Sequence, residues 1–275
     1  MLDVHTHLHP PRLFAAIRRW FAERSSWRLD HPTEPHAVAA ALRAAGVRRF
    51  VFCSYAHKPG MARELNAWLA QTSRDLDGFG LPLATVHLDD PDPGADLRAA
   101  FDDGCIGLKL HEDVQRLTID DPRFAPIFEI VAARDGFILA HIGPIPWSRD
   151  TRDGPARVAA VLARNPRLRV VVAHLGVPDT LRYFTLAAEH PNLYIDTTMA
   201  FSSPDLLTTA TAAQVEAASG SIVYGSDYPN IPYSYAQDQA ALAALGLSAS
   251  ARRAILAGNA QRLCPQLARP EGDSP

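Results

Sequence analysis

Residues 168–176 read LRVVVAHLG, a valine-rich run that breaks into Ala-His-Leu-Gly. A strand that is apolar on both faces is covered on both faces, the usual state of a parallel sheet packed between helices. The preceding apolar run, residues 137–143, reads FILAHIG and ends in the same way, on a histidine two residues before a glycine. Two buried strands that put the same polar residue at matching ends set the frame for the rest of the chain.

Working outward, six more runs rich in Val, Ile, Leu and Phe predict strands over 2–7, 47–55, 79–88, 105–111, 193–199 and 221–227. With strands over 137–142 and 168–175, this makes eight. Amphipathic Ala/Leu/Arg segments lie between them, over 34–45, 60–76, 94–103, 122–135, 154–164, 180–189, 204–218 and 235–245. The first of these stops at Gly46, a residue suited to the left-handed turn after a helix. Eight β/α units in 275 residues predict a closed (β/α)8 TIM barrel of class α/β. An open dinucleotide-binding sheet is disfavoured, because no strand runs into a glycine-rich phosphate turn. A long insert over 8–33 predicts an extra helix over the barrel mouth, and 248–263 predicts a further C-terminal helix. The single domain is expected to span 1–267, with 268–275 a flexible, polar tail.

Composition narrows the function classes. A formal net charge of −3 with no basic block argues against nucleic acid as partner, and no apolar run reaches membrane-spanning length. A first strand at the first residues leaves no room for a removable leader, and the cytoplasm is the default expectation. The cysteines, Cys53, Cys105 and Cys264, form no CxxC pair, which speaks against a disulfide framework or a cysteine zinc site. Lys58 and Lys109 are the only lysines in an arginine-rich chain, so a lysine on a strand calls for its own explanation.

The N-terminus, MLDVHTHLHP, places His5, His7 and His9 on alternate residues behind Asp3. In an extended strand residues i and i+2 share a face, so Asp3, His5 and His7 are predicted to point the same way. The other strands end in Lys109-Leu110-His111, Ala140-His141, Ala173-His174 and Gly225-Ser226-Asp227. Barrel chemistry collects at those C-terminal ends. His5, His7, His141 and Asp227 together offer three imidazole nitrogens and a carboxylate, a donor set for one divalent transition metal. It suits Zn, Mn, Fe or Co better than Mg or Ca, and affinity order alone does not choose among the four. Asp3 is expected to support the site from behind.

The phrases DVHTHLHP, IGLKLH, VVAHLG and YGSDYP, with the late GNAQRL, resemble the amidohydrolase superfamily. More specifically they are similar to its amidohydrolase-related branch, which includes aminocarboxymuconate-semialdehyde decarboxylase, aromatic-acid decarboxylases and dicarboxylate lactonases. The resemblance runs from Leu2 to about Leu263 and rests on the order and spacing of the motifs together. It implies that His5, His7, His141 and Asp227 bind a single metal that lowers the pKa of its water towards ~7. It implies a catalytic role for His174 as general acid or base, and for Asp227 as ligand and proton acceptor. In binuclear relatives a strand-four lysine is carboxylated and bridges two metals; here Lys109 is expected to hold a substrate oxyanion or the water network beside one metal. His111 has the same facing and either binds a substrate carboxylate or packs in a loop. His57, Trp147, Arg149 and Tyr228 follow strand ends where a small-molecule substrate arrives; the arginine suits an anionic group and the tryptophan a flat apolar body.

The expected activity is metal-dependent hydrolysis of a C–N or C–O bond in a small amide, lactam, lactone or ester. The alternative is non-oxidative decarboxylation, a lyase reaction, of an unsaturated or aromatic acid. Several aromatic-acid decarboxylases of the branch carry glutamate in place of the first histidine of HxH; this chain keeps His5, which tilts the reading to hydrolysis. A homodimer is an open option, as for many barrels of the branch.

Overall fold

The computed structural model describes residues 1–143, 152–203 and 208–268. Its strands are β1 (Leu2–His7), β2 (Arg49–Cys53), β3 (Gly80–Pro82), β4 (Gly107–His111), β5 (Phe137–His141), β6 (Arg169–Val172), β7 (Leu193–Asp196) and β8 (Ile222–Val223). All neighbours pair in parallel, as β1-β2-β3 and as β4 through β8 in sequence order. Single bridges join the two runs at both seams, Ala84 to Leu108 and Thr6 to Tyr228, so the cylinder closes. The (β/α)8 barrel expected from the sequence is the observed fold. Strands β3 and β8 are shorter than expected. Pro82 has no N–H to give the ladder. At Gly225 a Cβ would lie 2.8 Å from both His5 Cβ and Thr198 Oγ1, so the chain there passes too close to its neighbours for a side chain.

The helices are α1 (Pro11–Arg24), α2 (Pro35–Ala44), α3 (Ala62–Asp75), α4 (Pro93–Asp102), α5 (Glu112–Gln115) and α6 (Ala125–Ala133). There follow α7 (Gly154–Arg164), α8 (Thr180–Glu189), α9 (Ala212–Ala218), α10 (Tyr235–Ala243), α11 (Ala249–Arg253) and α12 (Asn259–Leu263). Capping explains several starts. Asp92, Asp153, Thr211, Ser234 and Ser248 each accept a hydrogen bond from a first-turn amide of the helix that follows, pairing a backbone donor that would otherwise be left free. No helix among the described residues is long and apolar enough to cross a membrane.

Two apolar layers result. The outer one packs strand residues such as Phe50, Phe52, Leu108, Ile138 and Val170 against the helices. The inner one fills the cylinder with Val4, Val51, Leu81, Leu83, Leu139, Val171 and Val223. Leu263 and Leu267 belong to that inner layer, so the C-terminal helix stoppers the end of the barrel opposite the mouth. Arg49 and Arg169 fasten it by donating to the Gln266 and Leu263 carbonyls, each at 2.8 Å. With one end stoppered by side chains, the opposite rim is left for polar groups. Helix α1 leans on that rim, where the buried Phe14 meets the His9 ring edge-on at 5.0 Å.

One strand departs from its expected facing. Strand β1 pairs Leu2 with Arg49 and Asp3 with Phe50, then shifts register before Thr6 meets Phe52 and His7 meets Cys53. The irregularity turns Asp3 out of the lumen. Its carboxylate accepts from Ser226 Oγ at 2.6 Å and from the Tyr235 hydroxyl, on α10, at 2.9 Å. The prediction that Asp3 shares a face with His5 and His7 is therefore corrected. A bulge adds one residue to a period-two pattern, and one residue is enough to invert a face.

Candidate metal centre

His5 and His7 enter the lumen from the end of β1, and Asp227 meets them from the loop after β8. Asp227 Oδ1 lies 2.7 Å from His7 Nε2 and 3.3 Å from His5 Nε2. The backbone holds it there: the Asp227 amide donates to the His5 carbonyl at 2.8 Å, and the residue sits at φ 64°. Aspartate is among the few side chains that tolerate this left-handed region.

The far side of the His5 ring is fixed by a residue at the end of strand seven, where the sequence leaves Asp196, Thr197 and Thr198 open either to face the mouth or to cap and pack. Asp196, last in β7, accepts from His5 Nδ1 at 2.8 Å and from the amides of His174 and Thr198 at 2.9 and 3.0 Å. With Nδ1 as donor, Nε2 of His5 is a lone pair aimed at the Asp227 carboxylate. Two electron-rich atoms at 3.3 Å repel unless a cation lies near them. Here the cation is Lys109, whose ammonium donates to His5 Nε2 at 3.1 Å while its side chain is 1 % exposed. The donor set therefore fits a metal, whose entry would displace this ammonium.

His141 and His174 complete the arc. His174 Nε2 and His141 Nδ1 are 3.0 Å apart, and His174 Nδ1 is buried without a partner. His174 opens a turn of three successive left-handed residues, His174, Leu175 and Gly176, so β6 ends before it. His111 pairs with His141 across the β4–β5 ladder, and their rings stack at 4.0 Å with planes 8° apart. Lone pairs in parallel stacked rings do not converge, so a metal held by His141 would not also be held by His111.

Cys53 also approaches this group. Its Sγ lies 3.5 Å from His7 Nδ1, and the donor atoms of His5, His7 and Cys53 all fall within 4.8 Å of one another. Cys53 touches the Nδ1 end of His7, while Asp227 meets the Nε2 end. The two acceptors thus define opposite sides of one ring, and Asp227 is on the side His5 shares.

Burial pushes His5 down to about 4, with help from Lys109. It also lowers His111, His141 and His174, leaving neutral imidazoles. For His7 burial works against the charge, but the Cys53 sulfur and the Asp227 carboxylate outweigh it and hold the ring up at about 10. Burial opposes ionisation of Asp227 too, and His7 and His5 overcome it, so its carboxyl stays well below the usual carboxylate range.

Of the sequence-derived candidates, His5, His7, Lys109, His111, His141, His174 and Asp227 come together. Tyr228 does not join them: it is buried with its ring against His31 at 4.8 Å and Tyr235 at 5.6 Å. His57 sits at the rim beside Lys58 and His87, where burial and those two groups lower its pKa. Trp147 and Arg149 lie outside the described residues. Asp196 and Thr198, left open between the mouth and a packing role, enter the site, and so do Tyr55 and His9, which had been given no role in it. A strand-end carboxylate in LYIDTT was the available signal for Asp196.

The chain is thus a closed α/β barrel with imidazoles and a carboxylate converging at one rim. A family model described as amidohydrolase matches residues 2–265, and the chain belongs to that family, whose members are generally metal-dependent enzymes acting on small molecules. No curated protein matches the chain. Among solved structures, it is similar to an uncharacterized TIM-barrel protein from Bordetella bronchiseptica, with TM-score 0.71 and 20% identity over 98% of this chain and 100% of that one. It is also similar to 5-carboxyvanillate decarboxylase from Sphingomonas paucimobilis, with TM-score 0.68 and 17% identity over 96% and 98%. A third is a probable 2-pyrone-4,6-dicarboxylic acid hydrolase from Acinetobacter baumannii, with TM-score 0.64 and 14% identity over 95% and 98%. At these identities the likeness is one of fold.

Proposed function

We propose that His5, His7, His141 and Asp227 hold one divalent transition metal, zinc in the first place, and that the chain hydrolyses a C–N or C–O bond of a small amide, lactam, lactone or ester. The observation that carries this reading is the meeting of His5 and His7 Nε2 on a single Asp227 oxygen, with Asp196 fixing the His5 ring. When bound, the metal supplies Lewis acidity and a water whose pKa is lowered towards ~7.

The remaining work falls to the chain. His174, neutral and with a buried free Nδ1, takes a proton from the nucleophile or passes one to the leaving group. Asp227, ionised in the resting site, can accept the proton that His174 does not. Lys109, released from His5, steadies negative charge building on the substrate oxygen. The stacked His111 holds the His141 ring in place.

Decarboxylation of a small acid is the second reading, and the charges in the lumen favour it for one kind of substrate. Lys109 and a divalent ion against Asp196 and Asp227 leave one positive charge over. Hydroxide cancels that excess when the substrate is neutral, and a substrate carboxylate cancels it when the substrate is an acid. Substrate charge therefore separates the two reactions. Purified protein should contain about one transition metal per chain by elemental analysis. Zinc-loaded protein should release acid from members of a lactone, ester and amide panel; carbon dioxide from unsaturated or aromatic acids, with no acid released from the panel, would transfer the assignment to a decarboxylase.

A further inference from the structure

Six aromatic side chains close a circuit round the lumen. Ring centroids step from His7 to His5 at 5.2 Å, to His174 at 5.7 Å, to His141 at 4.5 Å and to His111 at 4.0 Å. From His111 the circuit passes to Tyr55 at 5.3 Å and returns to His7 at 5.9 Å. Tyr55 is thus three steps from His174 in either direction, the member that stands across from it. It is the one phenol among five imidazoles, and nothing in the reading above uses it.

Its surroundings are built to hold it still. The ring makes edge contacts to His7, His9 and His111, with planes 76°, 69° and 72° apart. Gln115 stitches the loops beneath: its amide nitrogen donates to the Ala56 carbonyl at 3.1 Å and the Val86 carbonyl at 2.9 Å, and its oxygen accepts from the His111 amide at 2.8 Å. The Ala56 amide donates to Thr85 Oγ1 at 2.9 Å. Ser54 and Ala56 on either side are buried, while Tyr55 keeps a minor part of its surface exposed. Among the described residues its hydroxyl has no hydrogen-bond partner. Beside it, His111 Nδ1 is buried and unpaired.

We propose that Tyr55 is a substrate-contacting residue whose hydroxyl donates to an oxygen of a flat, carboxylate-bearing ligand lying across the lumen from His174. Ring faces and edges line the space, which suits a flat body. The charge excess left by a metal and Lys109 suits an anion, so the proposal rests on the metal-site reading and on the second of the two reactions above. A phenol is a donor at neutral pH, and one fixed by three ring contacts loses little freedom when it bonds.

The test compares zinc-loaded wild type with Tyr55→Phe, which removes one oxygen atom and leaves the ring contacts intact. Benzoate is the probe, titrated by calorimetry, with zinc content and melting temperature read on the same samples. The proposal expects benzoate to bind wild type and to bind the variant about tenfold more weakly, with zinc content and melting temperature unchanged. Equal affinity in the two proteins overturns it, and so does a zinc-loaded wild type that takes up no benzoate. Failure of the wild type to bind zinc is a distinct result: it removes the metal-site reading and the proposal with it.

Discussion

His5 and Asp196 are 191 residues apart in the chain and meet at 2.8 Å, Nδ1 donating to a fully buried carboxylate. That bond fixes which nitrogen of His5 faces the lumen. In the Asp196→Asn variant the partner is neutral and can present its amide group to Nδ1, so the preferred tautomer is lost. Zinc affinity should fall between about 10- and 100-fold, measured by competition with a chromogenic chelator. An unchanged affinity would mean that Asp196 serves only the His174 and Thr198 amides.

Lys109 competes for the lone pair that a metal needs. Replacing it by methionine removes the ammonium at 3.1 Å from His5 Nε2 and keeps most of the side chain's volume. Lys109→Met should bind zinc at least as tightly as wild type while losing most turnover, with about one metal per chain in both proteins. Two metals in wild type and fewer in the variant would instead identify Lys109 as a bridge.

His174 is assigned to proton transfer and not to metal retention. His174→Ala should keep its zinc yet lose turnover by about 100-fold or more. A zinc-free variant would move His174 into the ligand set.

Asp238 gives the protein a pH dependence opposite to that of its ion-paired carboxylates. It accepts from Ser202 Oγ at 2.8 Å and the Tyr224 hydroxyl at 3.0 Å, but burial still pushes it up to about 6. The unfolded chain releases this proton near ~3.9. Between those values the native state holds the proton more tightly, so this group's contribution to stability falls as pH rises from about 4 to about 6. Asp238→Asn should lack that decline. Urea unfolding of both proteins across the interval checks it, with the difference between them isolating this group from Asp227 and Asp196, whose stabilisation is lost in acid.

The buried pair Glu112–Arg157 ties the end of β4 to α7 through two hydrogen bonds of 3.0 and 2.9 Å, with Glu112 1 % exposed. Removing Arg157 leaves the buried carboxylate with the Ile119 amide at 2.7 Å and, among the described residues, only the more distant Arg152, at 4.0 Å, as a cation. Arg157→Met should cost about 3 kcal/mol of stability, and adding Glu112→Gln should recover part of it. Thermal and urea melts give the comparison directly.

Much of this was legible in the chain because it is local. Helices α7 and α8 fall on the predicted residues 154–164 and 180–189, where apolar periodicity is regular and, for α7, coincides with the Asp153 cap. His7, His111 and His141 could be assigned to strand ends because each is the last residue of its strand, and His5 follows from its place two residues before His7. Strand β6 was predicted too long, since nothing in VAHLG announces three successive left-handed residues. Tyr228 was placed with the substrate by its position after β8, whereas the insert that carries His31 packs against it.

The order of polar and apolar residues by itself determined eight β/α units, a closed barrel and a set of imidazoles at one rim, because strand and helix periods are properties of neighbours in the chain. Tertiary structure alone decided that Asp3 faces α10, that Asp196 governs the His5 ring, that Lys109 occupies the His5 lone pair, and that Tyr55 stands across from His174. The first of these turns on a one-residue shift in register, and the others on contacts between strands far apart in sequence. Neither leaves a periodic trace, since each arises only when the cylinder closes and its rims are brought into alignment.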